Sequence, residues 1–423
     1  MSELEAIDFF TDISVVNDPS PYFNHLRSKC PVSREPHHGA MMITGYEEAL
    51  EVFRHCETFS SCVAVTGPIP PLPFTPQGDD IGEQLKQHQS EMPWAAHLVS
   101  QDGQPHAALR AILTSVLTPG RFRKNEEYIE TLTDGLIDKF IDRGRCEFVA
   151  DYAHALSTLV IAALLGVPEE DREDLLELLG KPPTQIGGDA QHKIAPDPLA
   201  LLEGQFSRYL RERRGNPRGD MMSDLANVRF KDGTEPELAV PVRLAKFLFG
   251  AGQDTSARLM ASTFRVLAEC PDLQQLLRAE RDRIPDFIEE TLRMESPAKA
   301  IHRLTLSTTS IGGVRVPAGT IVTLGLGAAN RDPRHFEAPN DFKLGRSNVR
   351  DHIAFSRGVH ACPGAPLARS ETRITLERFL DRMADIRICE AEHGPPNARR
   401  YEYEPTYLLR GLSALHLEFT RAS

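Results

Sequence analysis

The chain has 423 residues, of which 41% are hydrophobic and 26% are charged, as in ordinary globular proteins. The formal net charge of −12, without a basic arm or tail, argues against general nucleic-acid binding. The N-terminus has no basic segment followed by a long apolar run, and no stretch of about eighteen uninterrupted apolar residues occurs, so we expect no signal peptide and no membrane anchor.

Cysteine usage indicates the compartment. The seven cysteines are scattered, without a C-x-x-C pair or the spacing of a zinc site or a disulfide framework. An odd, scattered set suits a reducing cytoplasm. No Gly/Ser-rich, Pro-rich or charged linker divides the sequence, so we expect residues 1–423 to form a single domain.

The first elements along the chain mix strand and helix patterns. Residues 41–60 read as a strand, a turn at Gly45 and a short amphipathic helix. Over residues 62–94 the periodicity disappears and proline and glycine are frequent, which is typical of a loop. Apolar stripes predict mostly helices over residues 125–235, interrupted by the Pro/Gly-rich segment 181–198.

Two donor groups lie on the helix that is predicted after Asp102. His106 and Arg110 are four residues apart, so on a helix they share one face. Together they can grip a pair of carboxylates. For an isolated pair of this kind, a solvated helix face is the simpler interpretation.

A long apolar helix is predicted over residues 241–270. Gly250 and Gly252 lie in its interior, where each costs about 1 kcal/mol. We therefore expect the helix to be locally opened there, so that a small ligand and water fit.

Asp254 and Thr255 follow these glycines directly. A carboxylate and a hydroxyl in a weakened apolar helix suit proton delivery. A purely structural interpretation has Thr255 bonding back to a helix carbonyl and Asp254 paired with Arg258, and this ion pair is compatible with proton delivery.

The next segments predict supporting structure. Glu290 and Arg293 lie three residues apart on a helix that ends before Pro297, and such a pair alone is worth only a few tenths of a kcal/mol. Short strands and turns follow as far as about residue 333, and residues 410–419 alternate like a strand hairpin.

Residues 355–364, FSRGVHACPG, are the most informative stretch. Cys362 is preceded by Gly358 and followed by Pro363 and Gly364, and a helical pattern begins at once after the loop. A thiolate in a glycine-rich loop that opens a helix is stabilised by free amide donors and by the helix dipole. This is the setting of a metal-bound cysteine, although an inert buried cysteine beside a helix start is the simpler alternative.

The loop resembles the haem-binding loop of the cytochrome P450 monooxygenases. The matching positions are Phe355, Gly358, His360, Cys362 and Gly364. The chain departs from the pattern at Ser356, where the family usually has glycine. The long helix matches the family's oxygen-activation motif at Ala251, Gly252, Asp254 and Thr255. Glu290 and Arg293 match its Glu-x-x-Arg element, which braces the core beneath the haem.

The resemblance implies the P450 prism fold, mainly α with small β-sheets (α+β). Haem b would lie buried between the oxygen-activation helix and the cysteine-loop helix, with the Cys362 thiolate as the axial ligand. The cofactor-binding residues implied by the family are His106, Arg110, Ala251, Arg303, Phe355, His360, Cys362 and Gly364. Among them, His106, Arg110, Arg303 and His360 would hold the propionates.

The implied function is monooxygenation of a hydrophobic small molecule with dioxygen, in which Asp254 and Thr255 manage the protons. No flavin or iron–sulfur segment follows the cysteine helix, so we expect the electrons to come from a ferredoxin and its reductase. A docking patch for that donor is suggested by Arg110, Arg357 and Arg369, which serve haem binding or helix capping in the alternative interpretation. The family default is a monomer.

The substrate pocket is expected to take its walls from four places, with the segment 181–198 as a mobile lid. The wall candidates are Val63, Val65, Leu72, Phe74, Trp94, Leu248, Phe249, Lys299, Ala300, Ile301, Leu412 and Ser413. Three other functions stay open: a peroxide-using enzyme, which tends to lose the acid–alcohol pair that is present here; a haem-binding sensor or carrier without turnover; and a helical scaffold without a cofactor.

Overall fold

The computed structural model describes residues 3–179 and 199–422. Most of these residues are helical. The α-helices are α1 (Ile13–Asn17), α2 (Ser20–Lys29), α3 (Tyr46–Arg54), α4 (Gly82–His88), α5 (Gly103–Val116), α6 (Pro119–Asp138), α7 (His154–Leu165), α8 (Arg172–Leu179), α9 (Leu202–Gly215), α10 (Met221–Ala226), α11 (Ala239–Glu269), α12 (Pro271–Ala279), α13 (Ile284–Met294), α14 (Leu326–Ala329), α15 (Ala365–Arg382) and α16 (Glu390–His393).

The strands are short and form three small sheets. They are β1 (Val32–Arg34), β2 (Met41–Ile43), β3 (Phe59–Ser60), β4 (Arg145–Glu147), β5 (Ala300–Thr305), β6 (Thr309–Ile311), β7 (Val314–Val316), β8 (Ile321–Gly325), β9 (Met383–Ile388) and β10 (His416–Arg421). Their orders are β1-β2-β8-β5-β3, β4-β10-β9 and β6-β7. The predicted class, mainly α with small β-sheets, is confirmed.

The 31-residue helix α11 is the axis of the helical part. It packs against α7, α9 and α15. Because neighbours cover several of its sides, most of its residues are buried, and its sequence is apolar over a wider arc than that of a surface helix. The long helix predicted over residues 241–270 is confirmed.

An aromatic cluster fixes α11 to its neighbours. Phe264 on α11 stacks on Phe148, with 4.3 Å between the ring centroids. Phe379 on α15 meets Phe264 at 4.7 Å and Tyr152 at 4.8 Å, both edge to face. These four rings are fully buried, and edge-to-face pairs of this kind add about 0.5–1.5 kcal/mol each beyond their area. The cysteine helix α15 is therefore held rigidly against α11.

The five-stranded sheet joins residues 32–60 to residues 300–325. The predicted strand and helix after residue 41 are confirmed as β2 and α3. β2 pairs in parallel with β8, so that Met41 lies opposite Val322. The other pairs in this sheet are antiparallel.

Two local predictions need correction. The segment 62–94 is not loop throughout, because α4 forms within it and buries Leu85 against a small apolar cluster. The C-terminal alternation is a hairpin only in its first part, where Leu412 forms an antiparallel bridge with Tyr403. Its second part, β10, pairs instead with β4 and β9. The expected lid, 181–198, lies outside the described residues.

The pair Glu290 and Arg293 is a structural brace. Arg293 donates from Nε and Nη2 to the two carboxylate oxygens of Glu290, each at 2.8 Å. Its Nη1 donates to the carbonyls of Asn330 at 2.9 Å and Pro339 at 2.8 Å, and Arg346 Nε reaches Glu290 at 3.2 Å. Both partners are fully buried. The pair therefore ties α13 to the loops on either side of residue 335.

Replacing Arg293 with alanine should leave the buried Glu290 carboxylate without its main ion-pair partner. We expect the free energy of unfolding to fall by about 3–5 kcal/mol, as for other broken buried pairs, measured by urea denaturation. The control is Arg283→Ala, whose ion pair with Glu280 is about 40–50% exposed and should cost less than about 1 kcal/mol. Equal losses in the two variants would contradict the bracing role.

Candidate active site

The loop before Cys362 is closed by its own backbone. The amide of Cys362 donates to the carbonyl of Phe355 at 2.9 Å, and a short 3-10 turn, Gly358–His360, fills the space between them. Gly358 has a φ of +70°, and a Cβ there would lie 3.0 Å from the carbonyl oxygen of Phe53. Only glycine satisfies both constraints, which explains its place in the motif.

Ser356 carries the strain of the loop. Its φ is +62°, in the left-handed region that glycine adopts freely and other residues adopt at a cost of about 1–2 kcal/mol. Its hydroxyl is buried without a hydrogen-bond partner among the described residues. The departure from the family pattern therefore falls at the position where the backbone favours glycine.

The thiol of Cys362 lies in an accessible recess, and it is the only exposed cysteine of the seven, all of which the structure describes. The amides of Gly364 and Ala365, at the start of α15, donate to its sulfur. Crowding by the surrounding protein raises the pKa of the thiol, and these amides together with Arg110 and Arg369 offset only part of that rise. A metal cation in place of the proton would complete this donor set.

A buried ion-pair network supports the loop from behind. Arg369 on α15 lies over the ring of Phe355, 4.6 Å from its centroid. Glu289 on α13 accepts from Arg369 Nε at 2.6 Å and Nη2 at 2.8 Å, and it contacts His352 at 3.0 Å. Burial alone would raise the pKa of Glu289, but these hydrogen bonds lower it to about 2. The sequence analysis missed Glu289, although it directly precedes the Glu-x-x-Arg element.

The proposed propionate-binding residues meet at the other side of the loop. The rings of His106 and His360 are 4.1 Å apart, and Arg110 Nη2 donates to the carbonyl of Ala361 at 2.6 Å. Arg303 on β5 is buried and donates to the carbonyl of His302 at 2.7 Å. Burial lowers the pKa of Arg303 to about 10. The four side chains thus come together from α5, β5 and the cysteine loop.

Asp102 is the one carboxylate among these groups, and the sequence analysis gave it no role of its own. It accepts from the amide of Ser61 at 2.9 Å and lies 3.4 Å from His360 Nε2, while Ser60 also donates to it. Burial alone would raise the pKa of Asp102, but the hydrogen bonds from His360, Ser60 and Ser61 lower it overall. A single carboxylate is thus shared by several cations and donors.

The middle of α11 has one exposed face. Ala251 is exposed although it lies in the interior of a buried helix, and Thr255 one turn later is partly exposed. The Thr255 hydroxyl donates to the carbonyl of Ala251 at 2.7 Å. The helix is continuous through Gly250 and Gly252, so the expected local opening is absent. These glycines instead permit close packing, since a Cβ at position 250 would lie 2.5 Å from Leu199.

Asp254 is held by a neighbour. Its Oδ1 accepts from Arg258 Nε at 2.8 Å, and Arg258 also pairs with Glu404 from the C-terminal segment. All three side chains are buried. The second carboxylate oxygen of Asp254 has no hydrogen-bond partner among the described residues. Both contacts of the structural interpretation are present, and they leave one Asp254 oxygen free to exchange protons.

The sequence analysis did not identify one further buried acid. Glu371 on α15 is 1% exposed, and the Ser256 side chain on α11 is the one group that offsets part of its burial. Burial raises its pKa to about 8, so it is mostly protonated at pH 7. Its place on the buried face of α15, four residues after Leu367, was the available signal.

These features fit haem. An accessible thiol with two amide donors suits an iron ligand. The exposed Ala251 offers an apolar surface for a flat macrocycle. The cations Arg110 and Arg303, with the histidines beside them, exceed the single carboxylate of Asp102, which leaves room for the negative charge of two propionates.

Comparison with known proteins identifies the family. The family model described as cytochrome P450 matches residues 211–396. Cytochrome P450 144 of Mycobacterium tuberculosis is 31% identical over 91% of this chain and 87% of its own length. The chain belongs to the cytochrome P450 family. It is therefore a P450 monooxygenase, and members of this family hold haem b through an axial cysteine thiolate.

Solved structures agree with this assignment. The substrate-free form of cytochrome P450 CYP150A6 from Mycobacterium marinum has a TM-score of 0.93 and 50% sequence identity, over 100% of both chains. CYP109E1 from Bacillus megaterium, solved in complex with corticosterone, has a TM-score of 0.78 and 25% identity, over 96% of this chain and 99% of that one. The P450 fold is confirmed. Within the described ranges, the P450 has no helix long and apolar enough to cross a bilayer.

Substituting Ser356 with glycine should stabilise the P450. The change relieves the left-handed serine and removes a buried, unpaired hydroxyl, at the cost of a more flexible unfolded chain. We expect the free energy of unfolding to rise by about 1 kcal/mol in urea denaturation. Ser310→Gly, at an exposed position of β6, should instead lower it by a few tenths to 1 kcal/mol. A loss of stability in Ser356→Gly would show that the hydroxyl has an essential partner.

Replacing Glu289 with glutamine should make the free energy of unfolding change less between neutral and acid pH. The native pKa of about 2 lies below the ordinary value of 4.5, so the carboxylate stabilises the fold fully above about pH 5, and this contribution is lost as pH falls towards 2. The shift corresponds to about 3 kcal/mol.

Denaturation of wild type and Glu289→Gln at pH 7 to 3 should therefore give two curves that differ most at neutral pH and converge in acid. Glu337→Gln, at an 88% exposed side chain, is the matched control and should follow the wild type. A difference that stays constant from pH 7 to 3 would contradict the role of the Glu289 charge.

Proposed function

We propose that Cys362 is the axial ligand of haem b and that this P450 inserts one oxygen atom from dioxygen into a hydrophobic small molecule. The observation that carries the proposal is the accessible Cys362 thiol, which receives two amide hydrogen bonds at the start of α15. The helix α15 packs directly against α11, whose open surface at Ala251 provides the second wall of the site.

When bound, the haem supplies the activation of dioxygen, and its thiolate ligand favours O–O cleavage. The chain orients it. Arg110 and Arg303 offer guanidinium donors to the propionates, and His106 and His360 add ring donors beside them. Burial lowers the pKa of His106 to about 4, so it acts as a neutral donor at pH 7. Arg369 lies over the ring of Phe355 and would support it as part of the haem-binding loop, and Gly364 contributes its amide to the sulfur of Cys362.

Proton delivery is assigned to Asp254 and Thr255. The Thr255 hydroxyl uses its hydrogen on the Ala251 carbonyl, so its oxygen is free to accept a hydrogen bond from water or another donor. Asp254 exchanges protons through its unpartnered Oδ2, while Arg258 fixes the other oxygen. Glu404 shares Arg258 with Asp254 and thereby limits the strength of that ion pair. The acid is thus positioned without being fully neutralised.

The substrate class proposed is a hydrophobic molecule. Ala251 gives the site an apolar surface, and the corticosterone complex of CYP109E1 shows an apolar ligand in a similar fold. Two of the expected wall residues, Phe249 and Lys299, contact other side chains instead. Phe249 is fully buried and meets Phe206 at 5.9 Å, and Lys299 lies over the ring of Tyr407 at 5.7 Å.

Electrons are proposed to come from a separate ferredoxin and its reductase. Val359, beside the cysteine, is 53% exposed, and Arg357 next to it is also exposed. All three arginines of the expected patch have contacts within the chain: Arg357 Nη2 donates to the Asp351 carbonyl at 2.8 Å, Arg110 donates to the Ala361 carbonyl, and Arg369 donates to Glu289. Arg357 is the most exposed of the three, so the proposed docking surface is centred on Val359 and Arg357.

We also propose that the chain is one domain and acts as a cytoplasmic monomer. The largest hydrophobic cluster of the described residues runs from Leu98 to Phe419, and three smaller clusters join residues before 98 to residues 300–353, which supports one domain. All seven cysteines are free thiols, as a reducing compartment requires.

Replacing Cys362 with alanine should abolish the thiolate signature. The reduced wild-type protein with carbon monoxide should show a strongly red-shifted Soret band in the difference spectrum, and Cys362→Ala should lose it. Cys270→Ala, at another partly exposed cysteine, is the control and should keep it. An unshifted band in the wild type would favour a haem sensor or carrier with another ligand, and absence of haem would refute the proposal.

Replacing Asp254 with asparagine should slow turnover without loss of haem. General acid–base catalysis typically contributes about 10²–10⁴-fold, so we expect electron-donor consumption with a ferredoxin and reductase pair to fall by about 10². Asp272→Asn, exposed at the start of α12, should leave the rate unchanged. A rate equal to that of the wild type in Asp254→Asn would remove Asp254 from the mechanism.

A further inference from the structure

A second cavity lies apart from the cysteine loop. It has a volume of about 540 Å³, within the range of small-molecule sites, and lies between the start of α2, the residues after α13 and the C-terminal segment 399–410. Four arginines line it, and they come from α11, the loop after α14 and the C-terminal segment. They are Arg265, Arg331, Arg399 and Arg410.

Three of these arginines converge on one carboxylate. Glu295 lies 3.2 Å from Arg265, 3.5 Å from Arg331 and 3.3 Å from Arg410. All four side chains are only 13–15% exposed. Burial alone would raise the pKa of Glu295, but the arginines hold it below its usual value. Arg265 has a second partner, Glu269, at 3.0 Å. Two carboxylates thus serve three partly desolvated cations, which leaves one positive charge uncompensated.

The remaining charged residues of the cavity lining do not neutralise this positive charge. Arg399 adds a fourth guanidinium, which donates from Nη1 to the carbonyl of Gly394. Asp18 is the other carboxylate in the lining, and its Oδ1 accepts from the amide of Ser20 at 3.0 Å. Four guanidinium groups therefore face two carboxylates in the lining and a third, Glu269, behind Arg265, in a chain whose net charge is −12. The positive charge is local to this cavity.

The guanidinium groups are held in fixed planes. Arg410 lies 3.8 Å from the ring centroid of Tyr403, and Arg265 lies 5.6 Å from that of Tyr401. Arg410 also donates to the backbone carbonyls of Val16 at 3.1 Å and Asn17 at 2.7 Å through Nη1. Its Nη2 has no hydrogen-bond partner among residues 3–179 and 199–422. Such preorganised donors lose little entropy when an oxyanion binds.

Lys299 is a buried base in the wall of the same cavity. Its side chain is buried in the cavity wall, with Nζ 3.4 Å from the carbonyl of Val15. Burial, and after it the charges of Arg410 and Arg258, lower its pKa to about 7. Tyr407 is the other titratable group that faces it. An anion in the cavity would therefore draw a proton onto Lys299.

We propose that this cavity is a binding site for a small organic oxyanion, a molecule that carries a phosphate or carboxylate group. Guanidinium forks match the geometry of both groups, and the volume exceeds that of a bare inorganic ion. Bracing alone does not account for the arrangement, because a purely structural network would match its charges and use its donors. The site is separate from the haem residues, so it does not depend on the assignment of Cys362.

The test is calorimetric titration of the haem-loaded full chain with inorganic pyrophosphate and, separately, with citrate, at constant ionic strength and pH 7. We expect one molecule of at least one probe to bind per chain. Arg399→Gln should weaken binding at least tenfold, because Arg399 is the arginine least used in structural contacts. Arg211→Gln, at an exposed arginine of α9, is the matched control and should bind like the wild type.

Binding of pyrophosphate alone would specify a phosphate group, and binding of citrate alone a carboxylate. Absence of binding by both probes, or equal binding by Arg399→Gln and the wild type, would overturn the proposal. The carbon monoxide spectrum of each variant verifies that it is folded and loaded.

A second measurement locates the anion. Titrations in two buffers with different ionisation enthalpies should show uptake of up to about half a proton per bound anion at pH 7, since Lys299 is about half protonated beforehand. Lys299→Met should bind the probe without this uptake. If Arg399→Gln weakens binding but the wild type takes up no proton, the anion does not lie beside Lys299.

Discussion

Two neighbouring carboxylates on α13 hold the cysteine loop and its surroundings in place. Glu290 receives Arg293 and Arg346, which tie the long loop after α14 to the helix. Glu289 receives Arg369 and His352, which carry the constraint to α15 and to the ring beneath the cysteine loop. Both carboxylates are nearly inaccessible, so each charge is strongly coupled to its partners. These contacts connect α13 to both sides of the loop that carries Cys362.

Cations are in excess around the cysteine loop, whereas acids are in excess around Arg258 on α11. Around the loop, cations and ring donors outnumber carboxylates, which suits an anionic cofactor edge. On α11, one guanidinium is shared by two acids, so that Asp254 is held by one oxygen and keeps the other open. In both places the incomplete pairing is costly in a protein interior, about 1–3 kcal/mol for each unsatisfied group, and such cost is typical of functional sites.

The same reasoning distinguishes the arginine-lined cavity from the ion-pair networks on the rest of the surface. Most exposed pairs match one cation with one anion and contribute little to stability. In the cavity, three arginines share Glu295, and burial removes the water that would otherwise screen them. An acidic protein that concentrates positive charge in one recess attracts an anion there and repels it elsewhere.

The sequence by itself determined the features that depend on neighbouring residues. Cys362 with its glycines, the helix through Asp254 and Thr255, and the pair His106 and Arg110 each follow from spacing within one turn or loop, and their resemblance to a family placed them in one site. Even the strained position was visible, since Ser356 departed from the glycine that the loop usually has.

The tertiary structure decided the contacts between distant segments. Glu404 reaches Arg258 across 146 residues, Glu289 reaches Arg369 across 80, and Arg410 meets Glu295 across 115. It also showed that Gly250 serves close packing and that residues 62–94 contain a helix. Periodicity and spacing carry no information on such pairs, because partner choice is set by packing of helices whose local patterns are compatible with many neighbours.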